Sequence, residues 1–381
     1  MLDELFDDCL TIDPAGRTAE FLKPLPACKG VLLFADDSDR AIQLLICANI
    51  RRTAAGRLAQ PGPGTVKKRA DISRIARKIY YCSSHNDFAG TLTHYRIARA
   101  VYPDTYSEHL TLPRQTYVKI ESSAKWPFFS LTDKPAVGGG QNLFGPFPSR
   151  KAAAEFIQIL QDAFGLCQRP ALLARGGDPA SCPYLQMDAC CAPCVGKMGR
   201  DEYLQYIAGA ICAAAGGVEK EAAKLKDQMQ QSAHQRHFEQ AHLVKKRLDR
   251  LELLGRSDYR WTTKLSALVI LHIDRSAKIA TLGSRKKIQT YAAFLIKAGH
   301  ITEFGDFTVQ EFGKFYKSFL AKLAEPAGKT CSKEFAERLS LLSYHLYRSK
   351  PAGIWLNCSK TQQFPSESEI TNAVLERFDT D

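Results

Sequence analysis

The sequence predicts a mixed α/β (α+β) fold in four parts: a small N-terminal α/β domain, a cysteine-rich module, a helical hairpin and a C-terminal α/β tail. Three observations carry that expectation. Strand-like and helix-like stretches alternate up to Pro103, five cysteines fall between residues 167 and 194, and residues 219–256 repeat apolar side chains at helical spacing beneath Lys- and Arg-rich outer faces.

The elements follow in order. The opening MLDELFDDCLTID is acidic and amphipathic, which does not fit a secretory signal. Residues 30–34 (GVLLF) read as a strand, Asp36-Asp37-Ser38-Asp39 as a turn, and Ile42 to Cys47 as a second strand. Arg51 and Arg52 open a basic helical stretch, and the Gly- and Pro-rich 56–68 is a loop. Residues 69–80 read as helical, 80–83 as a strand and 86–101 as a helix ending at Pro103, giving a β-β-α-β-α order. Short strands (TYVKI, WPFFSL) follow within 115–145. Gly138-Gly139-Gly140 reads as a flexible connection, because no helix follows it directly to offer a phosphate its N-terminus. Ser149 is a good N-cap for a helix with Ala153, Phe156, Ile157, Leu160 and Phe164 on one face.

Beyond the cysteines, a helix over 200–214 ends at Gly216-Gly217. A short helix then carries Ala222, Leu225 and Met229, and a longer one Phe238, Ala241, Val244, Leu248, Leu251 and Leu254, with HQRH (234–237) between them. Such narrow stripes suit an antiparallel hairpin. After Trp261, LSALVILHID and SAKIATLGS read as two strands of a hairpin, followed by helices over 308–324 and 332–348 and a strand at 353–357.

Composition narrows the function classes. The 381 residues are 45% hydrophobic and 24% charged with no apolar run long enough to span a bilayer, so the expectation is a cytoplasmic protein without a membrane partner. A net charge of +12 favours polyanions, nucleic acid first among them. Twelve cysteines without a signal peptide point to buried, metal-binding or redox-active thiols rather than disulfides.

The cysteines are spaced Cys167-x14-Cys182-x7-Cys190-x3-Cys194, with Cys191 as an extra. Four thiolates in one loop-rich stretch suit zinc or an iron–sulfur cluster. Pro170, Pro183 and Pro193 restrict the backbone beside three of them and lower the entropy lost when ligands converge. Zinc ribbons use paired CxxC knuckles, and only Cys191-x2-Cys194 has that spacing, so the pattern leans toward iron–sulfur. Buried, unligated cysteines are the alternative.

At these residues the chain resembles a family. LFGPFPSRKAAAEFIQILQDAFGL (143–166) and CPYLQMDACCAPCVG (182–196) are similar to the central segment of UvrC, and the hairpin with Met229, Phe238, Glu239 and Ala241 resembles that family's UVR motif. The resemblance covers about residues 24–257. It implies a [4Fe–4S] cluster on Cys167, Cys182, Cys190 and Cys194 (Zn²⁺ being the alternative), DNA as partner, and a UvrB-like protein bound through residues 219–256. It also implies a GIY-YIG nuclease fold at the N-terminus, in which tyrosines, a lysine, an arginine and a metal-holding glutamate carry the chemistry. Gly30-Val31 keeps the first two letters, but Leu32 stands for a tyrosine, Gln43 for the second tyrosine, Leu45 for a glycine, Ile46 for the lysine, Thr53 for the arginine and His94 for the glutamate, with Thr93 its neighbour. These substitutions remove the metal ligand and the base, so no catalytic residue is assigned. UvrC's second incision comes from an RNase H-like domain followed by helix-hairpin-helix elements, and the stretch after 257 is short for both. Its candidate strand acids are Asp274 and then Glu303 or Asp306.

The expected organisation is an N-terminal extension (1–23), a degenerate GIY-YIG-like domain (24–107), connecting strands and the cysteine module (108–200), a helical region with the UVR-like hairpin (201–257), and an α/β region of unknown role (258–381). The expected function is a DNA-binding protein associated with nucleotide excision repair, catalytically inactive at its GIY-YIG site. Candidate phosphate contacts are Arg51, Arg52, Lys67, Lys68, Arg69, Lys245, Lys246 and Arg247, and Phe238, Glu239 and Ala241 are the candidate partner contacts. The competing readings are a structure-specific endonuclease with a rearranged site, resting on His94, Arg51 and Arg52, and an interaction module that binds no DNA.

Overall fold

A computed structural model describes residues 2–12, 20–59, 71–120, 122, 124–135, 142–170, 173, 182–187, 189–280, 287–326, 332–359 and 364–378. It is a mixed α/β fold, as the sequence predicts. The chain divides into two units: Met1–Leu112 with Ile273–Ala293 and Gly305–Phe312, and Pro113–His272 with Phe294–Phe304 and Gly313–Asp381.

The first unit is built on an antiparallel sheet of order β1-β4-β2-β3, with β1 Asp8–Thr11, β2 Gly30–Ala35, β3 Ala41–Cys47 and β4 Lys78–Ser83. Helix α1 (Ile50–Leu58) follows β3, and α2 (Asp87–Val101) and the short α3 (Tyr106–His109) follow β4. Strand β2 is buried along its whole length because both faces are covered. Side chains alternate along a strand. Leu32 and Phe34 therefore join Ile50, Ala54, Leu58 and Ile79 on one face, while Val31, Leu33 and Ala35 join Leu44, Tyr80, Ile97 and Ala98 on the other. That two-sided burial makes GVLLF read as an unbroken apolar run.

The structure corrects two expectations in this region. Residues 73–75 form a turn, and the described part of 69–80 holds no helix. Ile72 and Ala76 imitate a helical stripe because both are buried under the sheet. Strand β1 was not predicted. Its register, Asp8 opposite Tyr81 through Thr11 opposite Lys78, is set by tertiary pairing rather than by local pattern.

The second unit contains a sheet of order β6-β5-β7-β8, with β5 Tyr117–Ile120, β6 Phe129–Thr132, β7 Asn142–Gly145 and β8 Thr263–Lys264. Helix α4 (Arg150–Phe164) begins where expected, since the Ser149 hydroxyl accepts the Ala152 N–H at 3.1 Å. It ends at Gly165 in the left-handed region (φ 60°). One core joins Val118, Phe144, Phe156 and Leu160 to Tyr203 and Ile207 of α6 (Arg200–Ala214) and to Leu248 and Leu251 of α8 (Phe238–Glu252).

A further sheet, of order β11-β10-β9-β12, comprises β9 Val269–Ala280, β10 Lys287–Lys297, β11 His300–Phe307 and β12 Ile354–Asn357. Of the two strands expected within 265–284, the described residues form one. The chain passes through Ser276-Ala277-Lys278 without turning, since Gln289 Nε2 donates to the Ser276 carbonyl at 2.8 Å and the Ser276 hydroxyl to Asp306 at 2.7 Å. Helices α9 (Phe312–Ala324) and α10 (Ser332–Leu346) and strand β12 stand close to expectation, and α11 (Glu367–Phe378) follows.

Candidate functional site

The cysteine module hangs from the end of α4. Past Gly165 the chain is tied back to α4: Leu166 N–H donates to Gln161 O, and Gln161 Nε2 donates to Cys167 O at 3.1 Å. Cys182 precedes Pro183, the first residue of α5 (Pro183–Gln186), and its carbonyl accepts Leu185 N–H at 3.1 Å. Pro193 opens a 3₁₀ turn that contains Cys194. Each proline thus starts a turn beside a thiol, where its fixed φ costs nothing. Cys191 N–H donates to Gly165 O at 2.9 Å and returns the module to α4.

Cys167 and Cys182 are buried, and Cys190 and Cys194 are half-buried. Burial pushes the Cys167 thiol up to about 11, and nearby Cys190, Cys194 and Cys182 push it the same way, so all three lie within its electrostatic reach. Burial, then Cys190 and Cys167, push Cys191 up to about 12, against the pull of Arg247. Among the described residues no three His, Cys, Asp or Glu side chains converge closely enough to hold a metal ion. By chemistry alone the four thiols are donors that zinc or an iron–sulfur cluster would take. Soft thiols that disfavour one another's ionisation in a buried place need a cation before they can serve as thiolates.

The hairpin consists of α7 (Val218–His234) and α8, joined through Arg236 in the left-handed region (φ 59°) with His237 N–H donating to Ser232 O at 2.8 Å. The expected short-then-long order is reversed, because α7 has 17 residues and α8 has 15. The apolar stripe of α7 marks only its packed part. Phe238 is 67% exposed and Leu243 58%, while Glu239 is exposed and Ala241 half-buried. Lys245 and Lys246 are exposed. Arg247 lies over Gly165, so close that a Cβ there would stand 2.8 Å from its Nη2. A guanidinium at α4's C-terminal end is where the helix dipole favours a cation.

In the first unit the six substituted positions do not share one surface. Register pairs Leu45 with Leu32 and Gln43 with Phe34, which puts them on the face covered by α1. Leu32 is wholly buried there. Gln43 accepts from Arg57 Nε at 2.8 Å, and Thr53 hydrogen-bonds the Cys47 thiol. Ile46, 50% exposed, points to the other face, where a Cβ on Gly90 of α2 would meet its Cδ1 at 3.6 Å. His94 also belongs to α2. Burial, then neighbouring His109, pull it down to about 4, so it is neutral at pH 7. Arg51 donates to Leu25 O at 2.7 Å and Lys23 O at 2.8 Å, and Arg52 is exposed. Lys67, Lys68, Arg69 and Gly138–Gly140 lie outside the described residues. Of the tail acids, burial pushes Asp274 up to about 6, and Asp306 accepts from Ser276.

Residues 115–213, which hold α4, the cysteine module and most of α6, match the family model described as UvrC/Cho excinuclease, middle domain. The chain is similar to UvrC proteins. A UvrABC system protein C from Syntrophus aciditrophicus (strain SB) is 30% identical over 142 residues, 36% of this chain and 22% of that protein. Its counterpart from Clostridium perfringens (strain 13 / Type A) is 22% identical over 254 residues, 64% of this chain and 39% of that protein. The one from Carboxydothermus hydrogenoformans is 24% identical over 285 residues, 74% and 44% of the two. The chain thus spans less than half the length of these UvrC proteins. No solved structure matches the chain. Among the described residues no helix is long and apolar enough to cross a membrane.

Within this UvrC-type region the structure adds residues the sequence reading passed over. Lys197, Arg250 and Arg256 line one cavity with Lys246 and Arg247. Only Arg250 carried a local signal, standing four residues after Lys246 on the same helical face.

Proposed function

We propose that the chain is a non-catalytic, DNA-binding relative of UvrC that acts in nucleotide excision repair, with a [4Fe–4S] cluster on Cys167, Cys182, Cys190 and Cys194 and a partner-binding hairpin at 219–256. Similarity to UvrC supports the repair assignment. The observation that carries the loss of nuclease activity is Leu32. Where the GIY-YIG pattern implied by the resemblance has a catalytic tyrosine, this hydrocarbon side chain is wholly buried in the core. Hydrocarbon groups at 32, 45 and 46 do no acid–base work, and a lone neutral imidazole at 94 replaces the anionic metal ligand. A cluster, when bound, supplies folding free energy to residues 165–200. The chain's own part is to bury the thiols and to tie the module to α4 through Cys191 N–H and Gly165 O.

With Mg²⁺ or Mn²⁺, purified protein is expected to bind nicked, forked and lesion-bearing duplexes at low salt and to leave every strand intact. Cleavage lost in a His94→Ala variant would establish the endonuclease reading instead. Absence of binding at low salt would overturn DNA binding.

The hairpin's exposed Phe238 and Leu243 support a docking surface for a UvrB-type helical hairpin. Phe238 buries little in the free chain, so Phe238→Ala is expected to leave the thermal midpoint within about 2 °C. The same change should weaken capture of a UvrB-type hairpin at least tenfold, about 1.4 kcal/mol. Undiminished capture would remove Phe238 from that surface.

A further inference from the structure

A cavity of about 1030 Å³ lies between α8 and the cysteine module in the second unit. Its size sits at the top of the range for small-molecule sites, roughly 300–1,000 Å³, but those are mainly apolar and enclosed. This one is an open trough walled by charge. Lys246, Arg247 and Arg250 project from α8, Arg256 follows the helix, and Lys197 comes from the turn after Cys194.

Five cations face three carboxylates, those of Asp162, Glu202 and Asp249. Among the described residues two of the cations pair with a carboxylate, Arg250 with half-buried Asp162 at 3.6 Å and Arg256 with exposed Glu155 at 2.7 Å. Such pairs are weak and give way to a better anion. Among the described residues Lys246 and Arg247 pair with no carboxylate. The negative end of α4 also opens here, but Arg247 over Gly165 and the Cys191 N–H on Gly165 O cover it. The trough is therefore electropositive despite the helix end beside it.

We propose that this trough is a nucleic-acid backbone site, in which Lys197, Lys246 and Arg250 take successive phosphates while Arg247 and Arg256 hold the walls. It rests on the DNA-binding reading above and names its surface. The Arg250 fork matches phosphate oxygens two at a time while the two ammonium groups add point charges, and a net charge of +12 draws a polyanion toward it. An acidic peptide would meet the same cations, but each contact would cost it the desolvation of a separate flexible side chain, whereas a phosphodiester chain presents its charges already in a row.

The test uses the full chain and a fluorescein-labelled duplex, with binding read by anisotropy across a salt series. Lys197→Glu/Lys246→Glu changes two exposed residues of the trough, and Lys226→Glu/Lys317→Glu makes the same charge change elsewhere on the surface. The trough variant is expected to bind at least tenfold more weakly than the charge-matched variant, with a log–log salt slope shallower by about 2. Equal affinities and slopes for the two variants, with the natural sequence still binding, would overturn the trough and leave the DNA-binding reading standing. Failure of the natural sequence to bind would overturn both. Polyglutamate that displaces the duplex at equal charge concentration would overturn the preference for nucleic acid.

Discussion

Gly30→Val is expected to destabilise the first unit strongly. A Cβ at residue 30 would stand 2.1 Å from the Cys82 carbonyl oxygen and 2.5 Å from Ile50 Cδ1. The first contact is to backbone, so no rotamer change relieves it. Gly30 opens β2, which pairs with β3 through Cys47 and with β4 through Ser83. Pushing β4 away would break that ladder, and pushing α1 away would open the core around Leu32 and Ile50. Overpacking costs about 1–3 kcal/mol where side chains yield, and more against fixed backbone. A loss above about 3 kcal/mol, with the thermal midpoint down by about 10 °C, is the expected outcome in circular dichroism melts. A midpoint within 2 °C of the natural sequence would show that β2 and β4 are not packed this closely. Space alone therefore requires glycine at residue 30.

The second large effect concerns the module. Cys167→Ser is expected to lower the bound metal at least tenfold and to make residues 165–200 the first site of limited proteolysis. Structural metal sites contribute on the order of 10 kcal/mol to the folding of small modules, so removing a ligand is felt well beyond the loss of one buried thiol. With Cys167 pushed up to about 11, metal loading must also release its proton, and occupancy should fall as pH is lowered. Cys191→Ser is the control. Its tie to Gly165 is made by the main chain and survives the change, and the resemblance gives its thiol no ligand role. Equal metal loss in both variants would show that Cys191, not Cys167 alone, belongs to the ligand set.

Much of this was legible in the sequence because the signals were local. Ser149 caps α4, and the periodicity over 219–256 marks the hairpin. Elements defined by distant partners were hidden. β1 exists because Tyr81 and Lys78 lie opposite Asp8 and Thr11, and nothing in DCLT announces a strand. β9 runs through Ser276-Ala277-Lys278 because β10 and β11 supply hydrogen bonds there. In the same way the trough draws Lys197 from one segment and Arg256 from another, and no sequence window contains both. Arg51 shows the reverse. A basic residue at a helix start reads as a phosphate contact, yet its guanidinium is engaged by the carbonyls of Lys23 and Leu25.

One measurement reaches the centre of the account: elemental and acid-labile sulfide analysis of the full chain purified without oxygen. Iron and sulfide in equal amounts, with visible absorption, is the predicted result. Stoichiometric zinc, or thiols free of any metal, would contradict it.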